Sequence, residues 1–146
     1  MININQNEGL EIQEGIMSVI DSSVKKVFSH FDMNEDQDLT IYLTNDEEIA
    51  ELNKTWMDKD GPTDVLSFPA DEVDLDSGLK YIGDIIVSVD TAKAQAEANG
   101  HHIEQECALL VVHGTLHLLG FDHYTAEEKT EMWSHQSAIL MDLGLQ

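Results

Sequence analysis

The stretch His113-Gly114-Thr115-Leu116-His117-Leu118-Leu119-Gly120-Phe121-Asp122-His123 gathers three of the chain's seven histidines into eleven residues. On a helix, His113 and His117 lie four apart and project from one face, a turn from each other. One ion can accept both imidazoles. Gly120 can end that helix, because glycine tolerates the left-handed conformation of the residue past a helix end. The chain then turns back and delivers His123 as a third ligand. Three neutral imidazoles with an open fourth position are the usual design of a catalytic zinc site. The motif therefore predicts a helix over Ile103–Leu119 that closes in a metal-binding turn, with Zn2+ as the expected ion, one per chain.

Outward from this helix, the elements follow from hydrophobic period and caps. Ile2 and Ile4 alternate with asparagine, as in a short strand. From Leu10 to Phe31, apolar residues recur at Ile12, Ile16, Val19/Ile20, Val24, Val27 and Phe31, a helical spacing. Asp32, Asn34, Asp36 and Asp38 imitate the opening of a calcium loop. Such a loop needs glycine sixth and glutamate twelfth, where this chain has Gln37 and Leu43. An acidic helix–strand connection is the better account, and Leu39–Thr44 reads as a strand. Asn45 and Glu48 form a capping box for a helix over Asp46–Trp56, whose stripe of Ile49, Leu52 and Trp56 is expected in the core. Met57–Pro62 is a loop by its charges and Gly-Pro pair.

Asp64–Phe68 reads as a strand ending at Pro69, and acidic Ala70–Lys80 as a loop or the arms of a loose hairpin. Tyr81–Val89 is the strongest strand, with Ile85-Ile86-Val87 expected to be covered on both faces. Asp90 caps a helix running to about Gly100, in which four alanines supply propensity rather than a deep stripe. His101 and His102 beside Gly100 read as capping or solvated residues. Thr125 and Glu128 form a second capping box, for a last helix over Ala126–Leu143 with Met132, Ile139, Leu140 and Leu143 inward. His135 on that helix reads as structural. The order β-α-β-α-β-β-α-α-α predicts an α+β fold, one domain over residues 1–146, with helices packed on a mixed sheet.

Composition sets further bounds. Twenty-nine acids face seven bases, all of them lysines, for a net charge of -22. Such a surface repels nucleic acid at long range, so composition alone argues against an RNA or DNA partner. No apolar run is long enough to span a bilayer, and Met1–Gln6 lacks the regions of a signal peptide. The single Cys107 excludes an intrachain disulfide, reads as a small buried hydrophobe, and fits a cytoplasmic, reducing compartment.

His-x3-His-x5-His has the ligand spacing of the HExxHxxGxxH metalloproteases, a zincin-like metal site, even to Gly120. It departs where those enzymes carry the glutamate that takes a proton from water: this chain has Gly114. A bound zinc can by itself lower the pKa of its water to about 7. Metal-assisted hydrolysis is therefore the expected class, with the general base unassigned. Asp122, next to His123, is expected to orient a ligand imidazole, to assist proton transfer, or to cap the turn.

These residues resemble the YbeY family of metal-dependent endoribonucleases over nearly the whole chain. The family's HGxLHLxGxDH motif matches His113–His123 at every fixed position. Its LNxxxRxxDxPTDVLSFP segment matches Leu52-Asn53, Asp60 and Pro62–Pro69; its GDI strand matches Gly83–Ser88; and its late acidic-Met pair matches Glu131-Met132. The resemblance implies a zinc-type ion on His113, His117 and His123, a mixed four-stranded sheet, and single-stranded RNA as substrate. It further implies a role in rRNA 3′-end maturation and ribosome quality control. One position departs: the family's functional arginine is Met57 here, and Lys59 is the nearest cation that can serve in its place. Lysine offers a point charge without the planar fork. Thr63, Asp64 and Ser67 are expected to shape the cleft or to pack the strand end. Two other functions fit parts of the sequence: a metallopeptidase-like hydrolase, against which Gly114 argues, and a non-catalytic ribosome-associated factor with a structural metal, which Met57 keeps open.

Overall fold

A computed structural model of the chain describes residues 1–34 and 36–145. The elements run β1 (Ile2–Gln6), α1 (Glu14–His30), β2 (Gln37–Thr44), α2 (Asp46–Met57), β3 (Val65–Val73), β4 (Lys80–Ser88), α3 (Val89–Asn99), α4 (Ile103–Leu118) and α5 (Ala126–Asp142). The four strands form one mixed sheet in the order β1-β2-β4-β3. β1, β2 and β4 are parallel, and β3 runs antiparallel to β4 at the edge. This is the α+β architecture that the order of elements predicts. Among the described residues, no helix is long and apolar enough to cross a membrane.

Strand alternation assigns the two faces. Leu39, Ile41 and Leu43 of β2 and Ile85 and Val87 of β4 point into a core shared with Ile20 and Val24 of α1 and Cys107 and Val111 of α4. Ile86, between Ile85 and Val87, points the other way, to Ile49 of α2 and Leu66 of β3. The Ile-Ile-Val run is therefore covered on both faces. α4 also shares a second core with Val27 of α1 and Met132, Ile139 and Leu140 of α5. Ten of its sixteen residues are buried, so it is the central helix. Cys107 is fully buried, and its thiol is pushed up to about 12 by burial and then by Glu104 and Glu106.

Several boundaries differ from the sequence expectation. β3 does not stop at Pro69 but continues to Val73, and Lys80 begins β4, so much of Ala70–Lys80 forms hairpin arms. Proline is tolerated there because β3 is an edge strand and the ladder is irregular between Pro69 and Glu72. α1 starts at Glu14 rather than Leu10, after an uncapped Gln13. α3 is capped by Ser88, whose hydroxyl accepts from Thr91 N–H at 3.2 Å, while Asp90 accepts from the backbone of Asp46 at 3.0 Å. Ala92 and Ala96 are buried, so half of the alanines do form a stripe. Glu35 of the acidic turn lies outside the described residues; from Gln37 onward the calcium-like segment is strand. Trp56 is not core: it is 65% exposed at the end of α2, with its ring 6.2 Å from that of Phe68 on the edge strand.

Gly83 marks the tightest point of the sheet. Its φ is +139°, and a Cβ there would lie 2.4 Å from the Phe68 carbonyl oxygen and 2.7 Å from Leu118 Cδ2. Neither backbone conformation nor space admits a side chain. Gly83→Ala is expected to destabilise the fold by roughly 1–3 kcal/mol or more, read as a lowered urea midpoint. An unchanged midpoint would contradict this packing.

Candidate metal centre

Helix α4 carries His113 and His117 one turn apart on a flank between its sheet contact, marked by Gly114, and the side packed on α5. The sheet side is set by Gly114, where a Cβ would stand 2.9 Å from Ile85 Cγ2 and 3.1 Å from Ser67 Oγ. Position 114 thus points into the fold. The glutamate of the protease motif has no room there, which is the physical reason for glycine at this place.

The helix ends as its sequence predicts. Gly120 has φ +100°, its N–H donates to the His117 carbonyl at 3.0 Å, and Phe121 N–H donates to the Leu116 carbonyl at 3.1 Å. That pair of bonds is the Schellman arrangement. It brings the Phe121 carbonyl back to His117, whose Nδ1–H donates to it at 2.9 Å. His113 is held from α5, its Nδ1–H donating to Gln136 Oε1 at 3.0 Å. Carbonyl oxygens only accept, so both rings carry the proton on Nδ1 and turn a bare Nε2 inward.

The two Nε2 atoms lie 3.1 Å apart. Two lone pairs at that distance repel, and a cation between them relieves the repulsion. A tetrahedral zinc with bonds of about 2.0–2.1 Å needs ligand nitrogens about 3.3 Å apart, close to this spacing. His123 completes the group: one ligand atom from each of His113, His117 and His123 lies within 4.8 Å of the others. His113 and His117 are half-buried and His123 is exposed, so the group opens to solvent on one side. The residues present fit a three-histidine metal site.

Burial, the largest cause, pushes His113 below the ordinary imidazole range; His117 and His123 push it further, while Gln136 and the Asp64 carboxylate oppose. Burial also lowers His117, against the Phe121 carbonyl and the charge of Asp122. Asp122 stands 3.6 Å from His117 Nδ1, beyond hydrogen-bonding distance. The backbone carbonyl of Phe121 therefore fixes this ring, and Asp122 acts on it as a nearby charge.

The other expected residues are placed as follows. Asp64, at the start of β3, accepts from Val65 N–H at 2.8 Å, Thr63 Oγ1 at 3.3 Å and Gln95 Nε2 at 3.3 Å. Ser67 Oγ lies 3.5 Å from the Gly114 carbonyl. Lys59 sits in an exposed turn after α2 that the buried Asn53 ties down, by its carbonyl to Lys59 N–H at 3.3 Å and its amide to the Gly61 carbonyl at 3.0 Å. Among the described residues no hydrogen bond or ion pair joins Lys59 to the imidazoles. Lys54 makes that turn's ion pairs, to Asp58 and Asp60 at 3.4 Å each. His101 lies 3.5 Å from buried Glu106, and His102 caps α4, its N–H donating to Gln105 Oε1 at 2.9 Å.

Two contributors escaped the sequence reading, Gln136 and Trp133. Gln136 occupies an inward position four residues after Met132, and a polar side chain on that apolar stripe was the available signal. His135, read as structural, meets His30 of α1, with His30 Nε2 and His135 Nδ1 3.0 Å apart, and packs on Phe121. Trp133 stands edge-to-face with both His113 (5.7 Å) and His123 (5.8 Å).

Two expectations follow from this geometry. Gln136→Leu removes the acceptor that orients His113 and should weaken metal affinity about 10- to 100-fold in competition with a chelating dye; equal affinity would contradict the assigned tautomer. In the metal-free protein, the lowered pKa values of His113 and His117 mean that the unfolded chain binds more protons below the ordinary value of 6.5. Their stabilising effect is complete above that value and is lost as pH falls through the lower folded values. Urea midpoints taken with a chelator should therefore drop between pH 7.5 and pH 5, and less so in His117→Asn.

The site can now be set beside known proteins. A family profile described as endoribonuclease YbeY matches residues 1–144. An endoribonuclease YbeY of Acetivibrio thermocellus is 36% identical over 97% of this chain and 95% of its own length. The Bacillus cereus protein of that name is 36% identical over 95% and 94%, and that of Aquifex aeolicus 51% identical over 63% and 60%. A solution structure of a Thermotoga maritima protein matches the fold with a TM-score of 0.63 at 24% identity, over 98% of this chain and 91% of that one. With a profile match over residues 1–144 and relatives 36% identical over 95% or more of the chain, the chain belongs to the endoribonuclease YbeY family.

Proposed function

We propose that this protein is a metal-dependent endoribonuclease that cuts single-stranded RNA in rRNA 3′-end maturation and ribosome quality control. The observation that carries this is the convergence of three imidazoles, two with their outer nitrogens already engaged, in a chain matched end to end by endoribonucleases. His113, His117 and His123 hold the ion, which we take to be zinc. When bound, the metal supplies Lewis acidity and lowers the pKa of water. Gln136 and the Phe121 carbonyl keep the ring nitrogens aimed, and Asp122 adds negative charge beside His117.

Lys59 supplies the cation nearest the place of the family arginine, while Met57 leaves that place apolar and 38% exposed. We further propose a single domain over residues 1–146, a cytoplasmic location, the small ribosomal subunit as partner, and no DNA or membrane partner. RNA prevails over the repulsion expected from a net charge of -22 because that charge describes the whole surface, whereas cleavage depends on a few groups at one cleft. The metallopeptidase alternative is set aside, since position 114 is closed against Ile85 and Ser67.

Metal-loaded wild type is expected to cut labelled single-stranded rRNA and leave casein intact, with RNA cleavage falling at least about 100-fold in His113→Ala. Cleavage of casein, or of neither substrate, would overturn the assignment, the second outcome favouring a non-catalytic factor. Met57→Arg should raise RNA affinity or turnover about tenfold by adding a charge-assisted phosphate contact, read from steady-state kinetics.

A further inference from the structure

We infer that Trp133 is the platform on which an unpaired base of the RNA stacks beside the metal ligands, an inference that rests on the endoribonuclease reading above. Two large aromatic rings border the imidazole group and remain open to solvent: Trp133, 40% exposed, and Tyr124, 86% exposed. Trp133 lies within 6 Å of two of the three ligand rings, centroid to centroid, and Tyr124 lies 6.2 Å from the third ligand, His123. A base laid against Trp133 would place its own backbone beside the open side of the site.

Charge favours recognition through bases over phosphates here. The shallow hollow next to the metal-binding turn is lined by the carboxylates of Asp122, Glu128 and Glu131. Among the described residues, the cation in contact with the ring is Lys129, one helical turn before Trp133, with its Nζ 5.6 Å from the ring centroid. With so little positive charge, counterion release contributes little to affinity. Stacking on an aromatic face works for any base and needs no cation. The ammonium of Lys129 lies over the ring and is exposed, so it can swing off that face to a phosphate oxygen when the base arrives. A purely structural role for Trp133, as a buttress of His113 and His123, makes a different prediction: its loss would free the metal.

The test uses the metal-loaded full chain carrying Trp56→Phe, which leaves Trp133 as the sole indole of the two in the sequence. Stopped-flow mixing with a decamer of riboadenylate, and with an abasic ribose-phosphate decamer, reads binding ahead of cleavage. Quenching of Trp133 emission by the adenine decamer alone is expected. Trp133→Ala should weaken oligoadenylate binding roughly 5- to 150-fold at unchanged metal content, and Trp133→Phe should restore most of it. Equal quenching by both decamers, equal affinity in Trp133→Ala, or loss of metal from that variant would overturn the platform. If the wild type still cleaves RNA in those cases, the endoribonuclease reading stands without it; a wild type that neither binds nor cleaves RNA removes both.

Discussion

Helix α4 lies against β4 because Gly114 carries no side chain. A single Cβ at that position would press within 3 Å of Ile85, and the helix would have to lift from the sheet. Much of the structure depends on that close approach. It sets the rotation of α4 about its axis, so that Gly114 faces the strands while His113 and His117 lie on the flank between the sheet and α5. It lets Leu118 descend onto Gly83, where the sheet is also stripped of a side chain. It leaves the outer surface of the helix for α1 and α5, which close the second core around Val112 and Leu116.

The metal centre is built on this rigid axis from three kinds of support. Two ligands come from the helix itself, the third from the turn that Gly120 makes possible, and the orienting acceptors from the turn and from α5. Gln136 therefore couples α5 to the site as well as to the core. The His30–His135 contact and the rings of Phe31 and Phe121 fill the space behind the same turn. A site assembled this way has the rings of His113 and His117 aimed before any ion arrives, which lowers the reorganisation that binding requires.

Comparison with the protease motif gains its meaning from the fold. From residues alone, Gly114 is a missing base. In the structure it is a packing residue, and the catalytic glutamate of that other motif would be aimed into the strands. Equal ligand spacing thus accompanies different surroundings, and chemistry follows the surroundings. The same holds for charge: a net charge of -22 describes the whole surface and not the few groups at one cleft.

The sequence by itself determined the element order, the helix ending at Gly120, the gathering of three histidines and the N-caps Asn45 and Thr125, although the glutamate half of each expected capping box is not made. These are encoded locally, by i, i+4 spacing, by a glycine at a left-handed position and by side chains that bond their own backbone. The two-faced burial of Ile85–Val87 was likewise legible in an unbroken apolar run. Only the tertiary structure decided that β3 passes through Pro69, that Trp56 leaves the core, and that Phe121 and Gln136, rather than Asp122, fix the ligand rings. Each of these depends on what a distant segment presents: an edge strand with an irregular ladder, the rim of a sheet, or a second helix crossing behind the site. Hydrogen-bond partners far apart in the chain leave no periodic mark on it, so their pairing becomes visible only when packing has brought them together.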